Sequence, residues 1–151
     1  TLLLNTVLRI GQSLGYSFDK TMAMIARSWM VSADNAHAVH PNHPEYADFN
    51  NRPTLNKGIV IKHNASRHYA TDGYSAARFR ALCDNYNIPT QTFTNRSDIS
   101  GGSTLGHISN TKLSIPTVDI GLPQLSMHSS YETAGIKDTS YLIDSMIAFF
   151  E

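Results

Sequence analysis

Trp29-Met30-Val31-Ser32-Ala33-Asp34 is a short apolar run that closes on small residues and a carboxylate. It reads as a buried strand that delivers Asp34 at its C-terminal end. Upstream, Leu3, Val7, Ile10 and Leu14 recur at helical spacing and Gly15 stops the pattern. Ser17 can cap a second helix from about Phe18 to Ser28. Downstream, residues 35–57 read as a long ordered loop, rich in histidine and proline. Gly58 to Lys62 (GIVIK) is the next strand, and Thr71 can cap a helix to about Asn85 with Ala76, Phe79 and Leu82 inward. Thr90 to Phe93 and Thr117 to Gly121 (TVDIG) are further strands. The turn Gly101-Gly102-Ser103-Thr104 opens a helix to about Asn110. Residues 127–129 form a loop, and a last helix capped near Thr139 carries Tyr141, Met146 and Phe149. Strands alternating with helices give an α/β fold, a mixed sheet flanked by helices on both faces.

Composition narrows the function. The chain has 151 residues, 12 basic and 12 acidic side chains, a net charge of zero, 7 histidines and one cysteine. A neutral chain lacks the basic excess of a nucleic-acid binder. Its hydrophobic content of 41% argues against disorder. Charged residues make up 16%, below the usual ~25%, which suggests a surface partly covered by something else. The lone Cys83 excludes an intramolecular disulfide and a Cys-based zinc finger, and its apolar helical setting marks a buried thiol. No apolar run reaches the ~18–20 residues of a membrane span. The first residues, TLLLNTVLRIG, show no basic n-region and no cleavage site, so a cytoplasmic location is the expectation.

Several residues could carry chemistry, and each has a plainer reading. Asp34 is a turn cap after its strand, or a metal ligand or acid at the carboxyl edge of the sheet. His37 and His40 follow it closely and His128 comes after another strand; carboxylate plus imidazole is a zinc-type donor set. Lys62 is a snorkelling surface lysine, or a cation at the same sheet edge aimed at an anionic substrate group. Tyr69 is a core aromatic or a hydroxyl donor. The 101–104 turn is neither a P-loop nor a nucleophile elbow. No Ser-His-Asp motif and no dinucleotide fingerprint is present.

From Ser32 to Asn42 the sequence SADNAHAVHPN resembles the aspartyl aminopeptidase family of cytosolic zinc exopeptidases. The resemblance continues through Asn56-Lys57-Gly58, Val60-Ile61-Lys62, Tyr69-Ala70-Thr71, Asp98 and Gly102-Ser103-Thr104-x-Gly106. It runs on through Val118-Asp119-Ile120-Gly121 and Gln124-Leu125-Ser126-Met127-His128-Ser129, covering essentially the whole chain. It implies a zinc-exopeptidase-like fold and a pair of zinc ions held by five protein ligands. Asp34 and His128 match two of those ligands. His37, Lys62 and Tyr69 match substrate-contacting positions, with Lys62 facing an acidic N-terminal side chain of a peptide. His40 then shapes the loop or an intersubunit contact.

The family's other ligands and its general-base Glu match nothing here. The expectation is therefore that residues 1–151 are the C-terminal half of a catalytic domain, without the N-terminal half and the dimerisation domain. On that view the partners are the missing half, a peptide substrate and further copies in a homo-oligomer, and the isolated chain is inactive. The competing expectation is a non-enzymatic assembly or binding module. Ser97, Gly101 and Tyr131 depart from the family pattern and leave the matched ligands untouched.

Overall fold

The computed structural model describes residues 1–151. Its elements, in chain order, are α1 (Leu2–Ser13), α2 (Phe18–Arg27), β1 (Met30–Ala33), β2 (Ala36–His37), a 3-10 turn (Pro44–Tyr46) and β3 (Ile59–His63). There follow α3 (Gly73–Asn85), β4 (Thr90–Thr94), α4 (Leu105–Leu113), β5 (Thr117–Gly121), β6 (Pro123–Leu125), β7 (Thr133–Ala134) and α5 (Ile136–Phe150). The mixed α/β architecture agrees with the sequence reading.

The main sheet has the order β1-β5-β3-β4. β1 is parallel to β5 and β3 is parallel to β4, while β3 and β5 are antiparallel. Central strands are covered on both faces, so β3 reads IVIKH with its first four residues buried. One face carries Ile59, Ile61, Val118 and Ile120, packed with Ala76, Phe79 and Cys83 of α3 and with Ile88. Tyr141, Leu142 and Met146 of α5 pack against this core. The period-2 alternation of the strands sends Val60, Lys62, Asp119 and Phe93 to the other face. There Val60 and Phe93 join Ala36 and Tyr69 in a smaller cluster. The apolar face anchors the sheet, and the opposite face holds the candidate site.

Local chemistry sets the element ends. Ser17 caps α2 as read, its hydroxyl accepting from the Lys20 amide. The cap of α3 is Asp72 rather than Thr71, because Asp72 and Ser75 close a reciprocal capping box. The Thr71 hydroxyl accepts instead from the Asp119 amide at 2.8 Å. α5 starts at Gly135–Ile136, earlier than the expected Thr139. Asp138, in its first turn, is buried and turns back to accept from the Asn56 amide at 2.6 Å and the Gly58 amide at 2.9 Å.

The loop 35–57 is less irregular than its composition suggests. β2 pairs with β6, and β6 with β7, in a small sheet of order β2-β6-β7. Large apolar side chains stay exposed on α1 and α2 (Leu2, Ile10, Phe18) and on α5 (Ile143, Ile147, Phe150). No helix is long and apolar enough to cross a membrane.

Candidate functional site

β1 ends at Ala33, and the Asp34 amide still donates to the Ile120 carbonyl at 3.0 Å. That last ladder bond fixes where the Asp34 side chain leaves the sheet. One carboxylate oxygen accepts from the Asn35 amide at 2.7 Å, and the side chain keeps 62% of its surface exposed. Lys62 lies across the sheet with only 2% of its surface exposed, so it is not a snorkelling surface lysine. Its ammonium donates to the Asn35 carbonyl at 3.2 Å and stands 4.0 Å from the Asp34 carboxylate.

The expected placement of Lys62 at the same sheet edge as Asp34 needs correction. β3 runs antiparallel to β5, and β5 runs parallel to β1. The C-terminal ends of β1 and β3 therefore point in opposite directions. The pairing of Ile61 with Ile120 and of Val60 with Gly121 sets Lys62 alongside Asp119, inside the sheet. Lys62 reaches Asp34 through the length of its side chain.

Tyr69 is buried beside this lysine, with the ammonium 5.3 Å from the ring centroid. The Phe93 ring lies 6.4 Å from Tyr69 and 6.5 Å from His37, so one aromatic links the two. His37, Tyr69, Phe93, Arg96, Gln124 and Met127 border a cavity of about 630 Å³. Charge and burial compete here. Burial pushes the Lys62 pKa below its ordinary value, and the Asp34 and Asp119 carboxylates oppose that shift. Burial pushes the Tyr69 hydroxyl up, and the same two carboxylates add to the effect in the order Asp119, Asp34. His37 is pushed down by loss of solvation around its ring, then by His128 and Lys62.

His128 is exposed and sits in the left-handed region, φ 68°, as does Ser126 at φ 57°. For non-glycine residues this conformation needs support. Glu132 supplies it, accepting from the His128 amide at 2.6 Å. That amide and then the Gln124 side chain hold the Glu132 carboxyl below the usual carboxylate range. The structure thus brings together Asp34, Lys62 and Tyr69, with His37 and His128 at the margin. His40 borders the same cavity, its ring 5.4 Å from His43 in a stack that continues to Tyr46.

Asp34 and His128 are donor types that zinc accepts, but a catalytic zinc takes three protein ligands. No group of three or more His, Cys, Asp or Glu is gathered to hold a metal ion. These residues alone do not make a zinc site.

Sequence reasoning passed over Asp119 and Gln124. Asp119 is fully buried, and Gln124 is 4% exposed. Each has one side-chain oxygen without a partner. The available signal for Asp119 was a carboxylate in the middle of an apolar strand, TVDIG. Burying a charge there is expensive, so it needs a structural or chemical reason.

Known proteins share this fold. The family model "Aminopeptidase I zinc metalloprotease (M18)" matches residues 1–150. A probable M18 family aminopeptidase 2 from Clostridium novyi is 47% identical over 140 residues, covering 93% of this chain and 32% of that protein. A cryo-electron-microscopy structure of the Ape4 and Nbr1 complex superimposes with a TM-score of 0.94 at 36% identity. That match covers 98% of this chain and 28% of the other. The S. cerevisiae mApe1 dodecamer matches with a TM-score of 0.82 at 29% identity, over 98% of this chain and 32% of that one. The chain spans about a third of the length of the curated relatives it matches. Because that family model spans nearly the whole chain and the relatives share its α/β fold, the chain belongs to the aminopeptidase I zinc metalloprotease (M18) family.

Proposed function

We propose that these 151 residues supply part of the active site of an aminopeptidase that removes acidic N-terminal residues from peptides. The observation that carries this reading is Lys62, a lysine 2% exposed whose ammonium faces the Asp34 carboxylate at 4.0 Å. A buried ammonium with few fixed partners is a receptor for a carboxylate. Tyr69 and His37 flank it and offer hydrogen bonds to the substrate. The Phe93 ring neighbours both of them.

Asp34 and His128 are the residues of this chain that would ligate metal, with further ligands and a general-base Glu coming from outside residues 1–151. Two zinc ions, when bound, polarise the scissile carbonyl and acidify a water. Membership of a zinc metalloprotease family supports the metal, and a dodecameric relative supports a homo-oligomer. The exposed apolar side chains of α1, α2 and α5 suit an assembled molecule. One unpaired, buried Cys83 suits a reducing cytoplasm.

Metal analysis of the full-length protein tests the ligand assignment. Asp34→Ala and His128→Ala should each lose bound zinc together with hydrolysis of aspartyl p-nitroanilide. Full zinc content in either variant would refute it. A protein that binds zinc tightly through both residues yet hydrolyses no aminoacyl substrate would favour the non-enzymatic binding module.

A further inference from the structure

We propose that Asp119 is a positioning residue: it clamps the segment carrying Tyr69 against the sheet and so sets the pocket formed by Tyr69 and Lys62. The inference rests on the reading of those two residues as substrate-binding groups.

Asp119 lies in the middle of β5 and is fully buried. The register places Ser32 beside it on one side and Lys62 on the other. Its backbone amide donates to the Thr71 hydroxyl at 2.8 Å. Its carboxylate accepts from the Ala70 amide at 2.6 Å. Two consecutive residues after Tyr69 are thus tied to one side of β5, though 48 or 49 positions away in sequence. Tyr69 follows an irregular segment and precedes α3, so no helix or strand ladder holds it. Beyond the clamp, the ring is held by its packing with Ala36, Val60 and Phe93 and by the Lys62 ammonium over it.

The second carboxylate oxygen has no hydrogen-bond partner. A neutral amide or hydroxyl would serve as an acceptor for Ala70 at a lower burial cost. Lys62 lies next to Asp119 in register, and Asp119 works with Asp34 against the lowering of the lysine pKa by burial. Gly106 leaves the space for the carboxylate, since a Cβ there would lie 2.6 Å from its unpartnered oxygen. One close-packed side chain thus ties the Tyr69 segment to β5 next to the position of Lys62 in the sheet, and what the clamp needs from it is an acceptor oxygen for the Ala70 amide.

Steady-state kinetics and hydrogen-exchange mass spectrometry on the full-length protein test this. Asp119→Ala should raise KM for aspartyl p-nitroanilide at least tenfold with kcat changed less than threefold. The amides of residues 68–72 should exchange at least tenfold faster. Asp119→Asn keeps an oxygen for the Ala70 amide, and should restore slow exchange and bring KM back within threefold. An unchanged KM in Asp119→Ala, or a raised KM with unchanged exchange at 68–72, would overturn the proposal. Should Asp119→Ala fail to fold, Thr71→Val removes the other half of the clamp. It should speed exchange at 68–72 and raise KM, and wild-type values of both would overturn the proposal. Lys62→Met separates the two levels. If it leaves the preference for aspartyl over leucyl substrates intact, the substrate-binding reading fails. Exchange in the Asp119 variants still reports on the clamp by itself.

Discussion

Asp138→Ala should be among the most destabilising single substitutions in this chain. The carboxylate is fully buried and accepts two backbone hydrogen bonds, from Asn56 at 2.6 Å and from Gly58 at 2.9 Å. A hydrogen bond to a charged acceptor contributes about 1.5–3 kcal/mol, so the pair carries ~3–6 kcal/mol. Its position in the first turn of α5 adds about 0.3–1 kcal/mol through the helix dipole. Relaxation and water entry reduce the loss, which sets the expected cost at about 3–5 kcal/mol. Asp138→Asn keeps one acceptor oxygen but offers an NH2 group to the second amide, so about 1.5–3 kcal/mol should be lost. The two amides also fix Asn56 at φ 64° and Gly58 at φ 111°, the entry to the strand that carries Lys62. The assay is urea unfolding followed by circular dichroism, with the midpoint compared at constant slope. A loss below about 1 kcal/mol for Asp138→Ala would show that the two contacts do not hold the α5–β3 junction.

Gly58→Ala should cost at least about 1–3 kcal/mol, because φ 111° is closed to alanine and its Cβ would run into the Pro89 carbonyl; an unchanged urea midpoint would contradict this. Burial, then Asp84, pushes the Cys83 thiol up to about 12, so the folded protein should resist iodoacetamide at pH 8 and react only once unfolded. The unfolded thiol ionises near ~8.5 and the folded one does not, so stability should also fall as pH rises from about 8.5 toward 12. Burial, then Arg80, pushes the His63 pKa down. The unfolded chain takes up a proton near pH ~6.5 and the folded chain does not, so stability should drop as pH falls through that value. His63→Gln should make the drop shallower between pH 7.5 and 5.5, and identical slopes would contradict the assignment.

The strands and helices with strong periodicity were legible in the sequence, since their patterns come from one-sided or two-sided burial. α2 with its Ser17 cap, β3, β4 and β5 all fall where the residues place them. The errors have local causes. Thr71 and Asp72 are both good capping residues, and only the competing demand of the Asp119 amide on Thr71 decides between them. Thr139 is a better cap by type than Gly135, but Asp138 is bound to a loop about eighty positions away. β2, β6 and β7 are two or three residues long and exist because they pair with one another, so no periodicity announces them.

Of the candidate site, Asp34, His37, Lys62, Tyr69 and His128 were named through family resemblance, and their relative geometry was not legible in the sequence. Nothing in GIVIK says that the lysine turns inward from an antiparallel strand and spans to Asp34. Asp119 was written in TVDIG as a charge inside an apolar strand. Its meaning depends on neighbours 48 or more positions away, which only the fold brings close.

The most direct test of acidic recognition by Lys62 is the ratio of kcat/KM for aspartyl over leucyl p-nitroanilide, measured in the full-length wild-type protein and in Lys62→Met. A charge-assisted contact worth ~1.5–3 kcal/mol corresponds to roughly 10- to 150-fold in that ratio. The expected result is a fall of at least tenfold with bound zinc retained. A ratio unchanged in Lys62→Met would contradict acidic recognition by this buried lysine.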